Sequence, residues 1–295
     1  MCTVIVLNEV VDRYPLIVAA NRDEHVRRPS LPPKSEWKNQ THTIYPVDQL
    51  TGGSWIGSTS FGRIVALTNQ DDGKTDMNMR SRGEVVKACL EAYDEGDVRG
   101  IVNSIRCREY NPFNLLYGRV HDLQLALVHH VTEYPVIVPV EKGVTVISND
   151  MSPTNKYARK TNAAYVAGLG IERNEHPTNI ITRLRGALST HDGGDDPYQS
   201  LCVHAEEDDW ATRSTNIILY EDDGSLTYLH NEGSPCRSKE FSHQIIKTML
   251  DLRDLLSNLI NHIRVSDAKL SDQGPRLCGQ ETGRVSSSNS QKLLE

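Results

Sequence analysis

The chain has 295 residues, 38% of them hydrophobic and 24% charged, which is ordinary for a soluble globular protein able to bury a sizeable core. Its net charge of −7, with no Lys/Arg-rich run, argues against a nucleic-acid-binding surface. No apolar stretch reaches the length of a membrane span, and Glu9, Asp12 and Arg13 interrupt any signal-peptide pattern, so a cytoplasmic protein is expected.

The chain opens Met1-Cys2. Cysteine is small enough for a methionine aminopeptidase to remove Met1, with no prosegment to cleave. The new first residue would carry a thiol and a free α-amine. The amine titrates near ~7.7–8.0 and the thiol near ~8.5, so one residue supplies nucleophile and general base. Two apolar runs follow, Thr3–Leu7 and Leu16–Ala20, separated by a polar stretch with Asp12 and Pro15. They read as an antiparallel hairpin. That hairpin sets Cys2 beside Arg22 and Asp23, which directly follow the second run. The arginine is expected to lower the thiol pKa, and the carboxylate to orient the ammonium.

Further along, Ser54–Thr59 and Arg63–Thr68 flank Ser60-Phe61-Gly62 as a second hairpin, with Gly52-Gly53 ahead of it permitting close backbone approach. Val85, Val86, Cys89, Leu90 and Tyr93 share one face of a helix over Arg82–Tyr93, and Val98–Ile105 reads as a short helix. Strands are expected at Asn114–Arg119, Gln124–His129 and Val144–Ser148, with a tight turn at Asp122. Helices are expected at Asn155–Leu169 and Pro177–Leu188, the second capped by Thr178-Asn179. Thr215–Tyr220 and Ser225–His230 form a hairpin around Asp223-Gly224. The stripe Ile245, Met249, Leu252, Leu256, Leu259, Ile263 predicts a long amphipathic helix over Phe241–Ile263. Residues 1–265 read as one domain. Residues 266–295, poor in apolar side chains and rich in serine, have the composition of a disordered tail. This order predicts an α+β fold, a layered αββα sandwich of antiparallel sheets covered by helices.

Six scattered cysteines without a C-x-x-C pair argue for free thiols in a reducing compartment. Cys202 and His204 can point one way on a strand, but no second ligand pair stands at metal spacing, so neither metal nor cofactor is assigned. His129-His130 and His191–Asp196 are read as strand-end and loop positions.

Met1-Cys2, Ala19–Glu24, Gly52–Gly57, Ala66–Asn69 and Arg80–Gly83 come in the order and rough spacing of one family. The chain resembles the NRDE family, that of the transport and Golgi organisation protein 2. Ser148–Asp150, Cys202 and Thr212–Thr215 fit its later segments, and the resemblance spans roughly residues 1–230. That family is similar in turn to N-terminal-nucleophile hydrolases with an N-terminal Cys that cleave amides. The resemblance implies that fold and a thiol amidohydrolase or acyltransferase acting on a small acylated, amide-bearing molecule. It implies Cys2 as nucleophile, Arg22 and Asp23 tuning it, Asn69 donating to the oxyanion, Asn149 holding the amine or substrate, and Arg213 completing the electrostatic frame. Substrate specificity is expected in loops such as Thr41–Leu50 and His191–Ser200. Links of the family to haem trafficking and lipid metabolism imply an alternative, a non-catalytic carrier of haem or a related hydrophobic ligand. Cys2, His129 or His204 would then serve as axial ligand. Substrate identity and oligomeric state are left open at this level.

Overall fold

The first hairpin forms as expected in a computed structural model that describes residues 2–38, 41–70, 75–150, 157–238 and 241–247. β1 (Cys2–Val11) pairs antiparallel with β2 (Tyr14–His25), placing Cys2 opposite Arg22 and Leu7 opposite Ile17. The apolar runs are continuous rather than alternating because both faces are buried. Side chains alternate across a strand. Val4, Val6, Leu16 and Val18 therefore enter one core, and Ile5, Leu7, Ile17 and Ala19 a second. Each such side chain contributes about 1.5–3 kcal/mol on full burial, so this hairpin sits at the centre of the molecule.

In chain order there follow β3 (Ser30–Lys38), β4 (Thr41–Asp48), β5 (Ile56–Thr59), β6 (Arg63–Asn69), α1 (Arg82–Glu91) and α2 (Glu95–Ser104). Then come β7 (Phe113–Arg119), β8 (Asp122–Val128), β9 (Val136–Pro139), β10 (Gly143–Ile147), α3 (Ala158–Leu169) and α4 (Pro177–Leu188). The last elements are β11 (His204–Ala205), β12 (Trp210–Tyr220), β13 (Ser225–Glu232) and β14 (Ser242–Lys247). One antiparallel sheet has the order β10-β1-β2-β12-β13-β14, with β11 on β12, and the other runs β3 to β9 in sequence. α1 packs on β4, β5 and β6, while α3 and α4 cover β10, β1, β2 and β12. The sheets face each other, and Tyr220 Oη on β12 donates across the gap to the Arg63 carbonyl at 2.8 Å. The fold is the expected αββα sandwich.

Several expectations hold in detail. Val85, Val86, Cys89 and Leu90 form the buried face of α1, although Tyr93 lies past its end and is exposed. Gly62 takes φ +77° in the second hairpin's turn, a conformation that suits glycine. Other expectations are corrected. His176, not Thr178 or Asn179, caps α4, its Nδ1 accepting from the Thr178 amide. Thr41–Leu50 is not a loop: most of it is β4, mostly buried between β3 and β5. β3 escapes the pattern because it carries Pro32 and Pro33, and it tolerates them at a sheet edge with a register shift between Leu31 and Lys34. β9 is the opposite edge, equally exposed. The helix expected over Phe241–Ile263 begins instead as β14. Its backbone pairs with β13, where sheet extension prevails over helical periodicity. The remainder of that segment, and the tail, lie outside the described residues.

Gly53 abuts the first turn of α1. A Cβ there would stand 2.6 Å from the Gly83 carbonyl carbon, and the Ser54 amide donates to the Gly83 oxygen at 3.1 Å. Gly53→Ala is expected to cost about 1–3 kcal/mol through this overpacking. Urea unfolding measures it, and an unchanged midpoint would show that the contact yields freely.

Candidate active site

The ends of β1 and β6 are joined by one side chain. The Cys2 amide donates to Asn149 Oδ1 at 3.1 Å, and Asn149 Nδ2 donates to the Asn69 carbonyl at 2.7 Å. Asn149 follows β10, and its neighbour is pinned from the other sheet. Thr68 Oγ1 and Asn114 Nδ2 both donate to the Ser148 carbonyl, at 3.0 Å each, and Asn114 also bonds Thr68. Asn149, Thr68 and Asn114 are all essentially inaccessible, so these bonds carry no competition from bulk water and losing one partner leaves a costly orphan. The Asn69 side chain makes no hydrogen bond among the described residues and lines the same cleft as Cys2.

That cleft, of about 200 Å³, is walled by Cys2, Arg22, Trp55, Asn69, Asp48 and the first turn of α1. Period-two alternation puts Arg22 and Glu24 on the same face of β2 as Ala20. Arg22 Nη2 donates to Asp48 Oδ2 at 2.8 Å, and Arg28 Nε donates to the same oxygen at 2.7 Å. The amides of Leu50 and Thr51 and the Thr51 hydroxyl complete Asp48 through Oδ1. The Arg22 guanidinium lies over the Trp55 ring at 4.3 Å, a cation–π contact. Arg22 Nη1 and Trp55 Nε1 are buried yet lack an acceptor among the described residues.

Asp23 faces the other way, toward α3. Its Oδ2 accepts from Lys160 Nζ at 2.5 Å and its Oδ1 from Thr212 Oγ1 at 2.6 Å, with both charged side chains fully buried. Arg213 is the extra residue where β12 shifts register against β2 between Thr212 and Ser214. Its carbonyl accepts from the Gly233 amide at 2.7 Å, and its buried Nε has no acceptor among the described residues. The structure therefore gathers Cys2, Arg22, Asn69 and Asn149 at one end of the sandwich. Asp23 stands directly behind them, and Arg213 is not among the cleft's lining residues.

Sequence reasoning missed Lys160, Arg28, Asp48 and Trp55. Asp48 lies within Thr41–Leu50, read as a loop, and Lys160 lies on an otherwise unremarkable helix. Nothing local marks either. Thr75, Asp76, Met77 and Met79 also line the cleft, and no residue of His191–Ser200 does. Of the side chains considered for haem, His129 accepts from the Val131 amide in the turn after β8, and His204 stands beside Cys202 and Cys236.

The electrostatics correct one expectation. Arg22 does lower the Cys2 thiol pKa, but burial, the largest influence, raises it. The chain's terminal amine lowers it, Asp23 and Glu24 oppose Arg22, and the balance lies above the ordinary cysteine value. The thiol is therefore neutral at pH 7 while Met1 is attached. Asp48 goes the other way. Burial favours its protonation, but the Arg28 bond and charge, the Thr51 amide and Arg22 prevail and hold its carboxyl below the usual range.

Two facing antiparallel sheets between helix layers, with a cysteine at the head of an interior strand, define the N-terminal-nucleophile hydrolase fold. A Caenorhabditis elegans N-acylethanolamine-hydrolyzing acid amidase ortholog has this fold. It aligns with 74% of the chain and 92% of its own length at a TM-score of 0.54 and 13% identity. Penicillin V acylase from Agrobacterium tumefaciens aligns with 85% of the chain and 87% of its own, at 0.49 and 12%. Residues 1–233 match the family model described as Transport and Golgi organisation 2, and the chain belongs to that family. A human relative, Transport and Golgi organization protein 2 homolog, is 27% identical over 263 residues, 80% of this chain and 91% of its own. No helix among the described residues is long and apolar enough to cross a membrane.

Two outcomes follow from this geometry. Lys160→Met leaves Asp23 charged and buried without its cation. It should cost about 3–5 kcal/mol in urea unfolding, with much of the loss recovered in Asp23→Asn/Lys160→Met. Equal instability of single and double variants would show that the pair is not coupled. In a chain that retains Met1, alkylation of Cys2 by iodoacetamide should rise with pH along a curve displaced above that of a free cysteine. A curve at or below the free-thiol value would show that Arg22, not burial, governs the thiol.

Proposed function

We propose that the protein is a thiol amidohydrolase or acyltransferase of the N-terminal-nucleophile type, acting on the amide of a small acylated molecule. The observation that carries this reading is the Cys2–Asn149 hydrogen bond. The nitrogen that becomes the α-amine after Met1 removal already has a buried acceptor, and the same residue lines the cleft. The amine takes the thiol proton, and the thiolate attacks the amide carbonyl carbon. The resulting oxyanion receives hydrogen bonds from Asn69, a cleft side chain whose amide makes no hydrogen bond among the described residues. Each such donor supports ~10²–10³ in rate. Collapse breaks the C–N bond, and the leaving amine takes the proton from the α-ammonium. Water, or an acceptor nucleophile, then attacks the thioester, its proton passing to the α-amine and on to the departing thiolate.

Arg22 Nη1 and Trp55 Nε1, both without an acceptor among the described residues, offer donors to a substrate oxygen beside the scissile bond. Asp23, neutralised by Lys160, supports the strand end from behind rather than entering the cleft. Arg213 is assigned to the electrostatic frame by resemblance, through its charge rather than through a wall contact.

Intact mass should show Cys2 as the first residue of the mature protein. A panel of N-acylethanolamines, N-acyl amino acids, penicillin V and acyl-lactones then supplies substrates. Cys2→Ala should abolish turnover. A Gly-Ser extension ahead of Cys2 keeps the thiol but turns the base into an amide nitrogen, and should lose at least ~10²-fold. Cys2→Ser should retain little. All three keep the strand from Thr3 onward and should melt with the wild type. An extended protein that turns over as fast as the processed one would refute the amine as base.

A further inference from the structure

On the helix-covered face of the first sheet, away from the cleft, four side chains from three remote segments converge. His191 follows α4, Cys202 and His204 flank the start of β11, and Cys236 lies in the turn after β13. Cys202 Sγ lies 3.6 Å from Cys236 Sγ and 3.6 Å from His204 Nε2, and His204 Nε2 lies 3.2 Å from Cys236 Sγ. The His191 and His204 rings are 5.0 Å apart, and one ligand atom from each of the four residues falls within 4.8 Å of the others. A tetrahedral zinc with Zn–S of about 2.3 Å and Zn–N of about 2.0 Å requires S···S edges of about 3.8 Å and S···N edges of about 3.5 Å. The three edges among Cys202, His204 and Cys236 match within a few tenths of an ångström, and the His191 ligand atom lies within 4.8 Å of all three.

We infer that His191, Cys202, His204 and Cys236 form a structural zinc site. The second ligand pair that the local spacing lacked is supplied by the fold. Two soft thiolates and two imidazoles are the donor set of zinc rather than of calcium or magnesium. Four protein ligands leave no open position, which marks a structural rather than a hydrolytic site. The outer contacts suit the role. His191 Nδ1–H donates to the Cys202 carbonyl at 2.9 Å, which fixes the tautomer and leaves Nε2 for the ion. The Cys202 amide donates to the Thr190 carbonyl at 2.9 Å, and Val203 bonds Thr212 through both its amide and its carbonyl, so the ligand loop is backbone-anchored. Cys202 is buried, whereas His191 is exposed and gives the ion a route in. Binding displaces a proton from each thiol and changes no oxidation state.

The ion would tie the end of α4, β11 and the β13 turn to β12 at Thr212, whose hydroxyl holds Asp23. The site thus braces the back of β2 without touching the cleft, and it stands whether or not the protein is a hydrolase.

The test uses full-length protein purified under reducing conditions without chelator from zinc-supplemented cells. Elemental analysis should find a single zinc per chain, lost to background in Cys202→Ser and in Cys236→Ser. Cobalt-exchanged wild type should show thiolate-to-cobalt charge transfer and tetrahedral ligand-field bands, a readout that does not depend on any variant folding. Stripping the metal should lower the melting temperature. Zinc retained in Cys236→Ser would overturn the inference. So would wild-type protein that takes up neither zinc nor cobalt while both thiols remain alkylatable. A Cys202–Cys236 disulfide found in its place after anaerobic purification would overturn it equally, assigning the pair to redox chemistry.

Discussion

The site depends on one buried amide side chain spanning two sheets. Asn149 accepts from the head of β1 with its oxygen and donates to the end of β6 with its nitrogen. A primary amide offers both functions, on separate atoms, without a charge. Its position is set in turn by Thr68 and Asn114 closing on the Ser148 carbonyl. A buried network of this kind is stable only when complete, because every unpaired member would carry its full desolvation cost. The distance between the Cys2 nitrogen and the end of β6 is therefore a property of the sandwich as a whole.

The alternation of β2 separates two electrostatic systems. Arg22 faces the cleft and is shared between Asp48 and the Trp55 ring, while Asp23, one residue on, faces α3 and is neutralised by Lys160. A one-residue slip of β2 would exchange the two, turning the carboxylate into the cleft and the guanidinium under a helix. The apolar core below enforces the register, since the same slip would exchange Val18 and Ile17 between the two cores. Charge placement at the strand end is thus inherited from hydrophobic packing along its length.

Thr212 links the two ends of this arrangement. It donates to Asp23 and accepts from the Val203 amide, next to two of the four clustered thiol and imidazole groups. A bulge follows at once, placing Arg213 outside the regular pairing of β12 with β2. Bulges re-aim side chains at the rims of sheets, and this one lies where β2 carries Arg22 and Asp23.

The sequence by itself determined the elements whose signals are local. The β1–β2 hairpin, the turns at Gly62 and Gly224, the buried stripe of α1 and the layered order all follow from periodicity and turn chemistry. The hairpin alone places Cys2 beside Arg22. What only the tertiary structure decided are the meetings of residues distant along the chain. Asn149 reaches Cys2, Lys160 reaches Asp23, and Cys236 reaches Cys202 and His204. It also decided the strand character of Ser30–Lys38, whose prolines are tolerated only because that strand is an edge, and of Ser242–Lys247, which pairs with β13. The direction of the Cys2 pKa was decided there as well. A neighbouring arginine is visible in the sequence, but the burial that outweighs it exists only once two sheets have closed over the strand. Local patterns record which face of an element is apolar. Which elements those faces meet is set by packing, and the site is built where they meet.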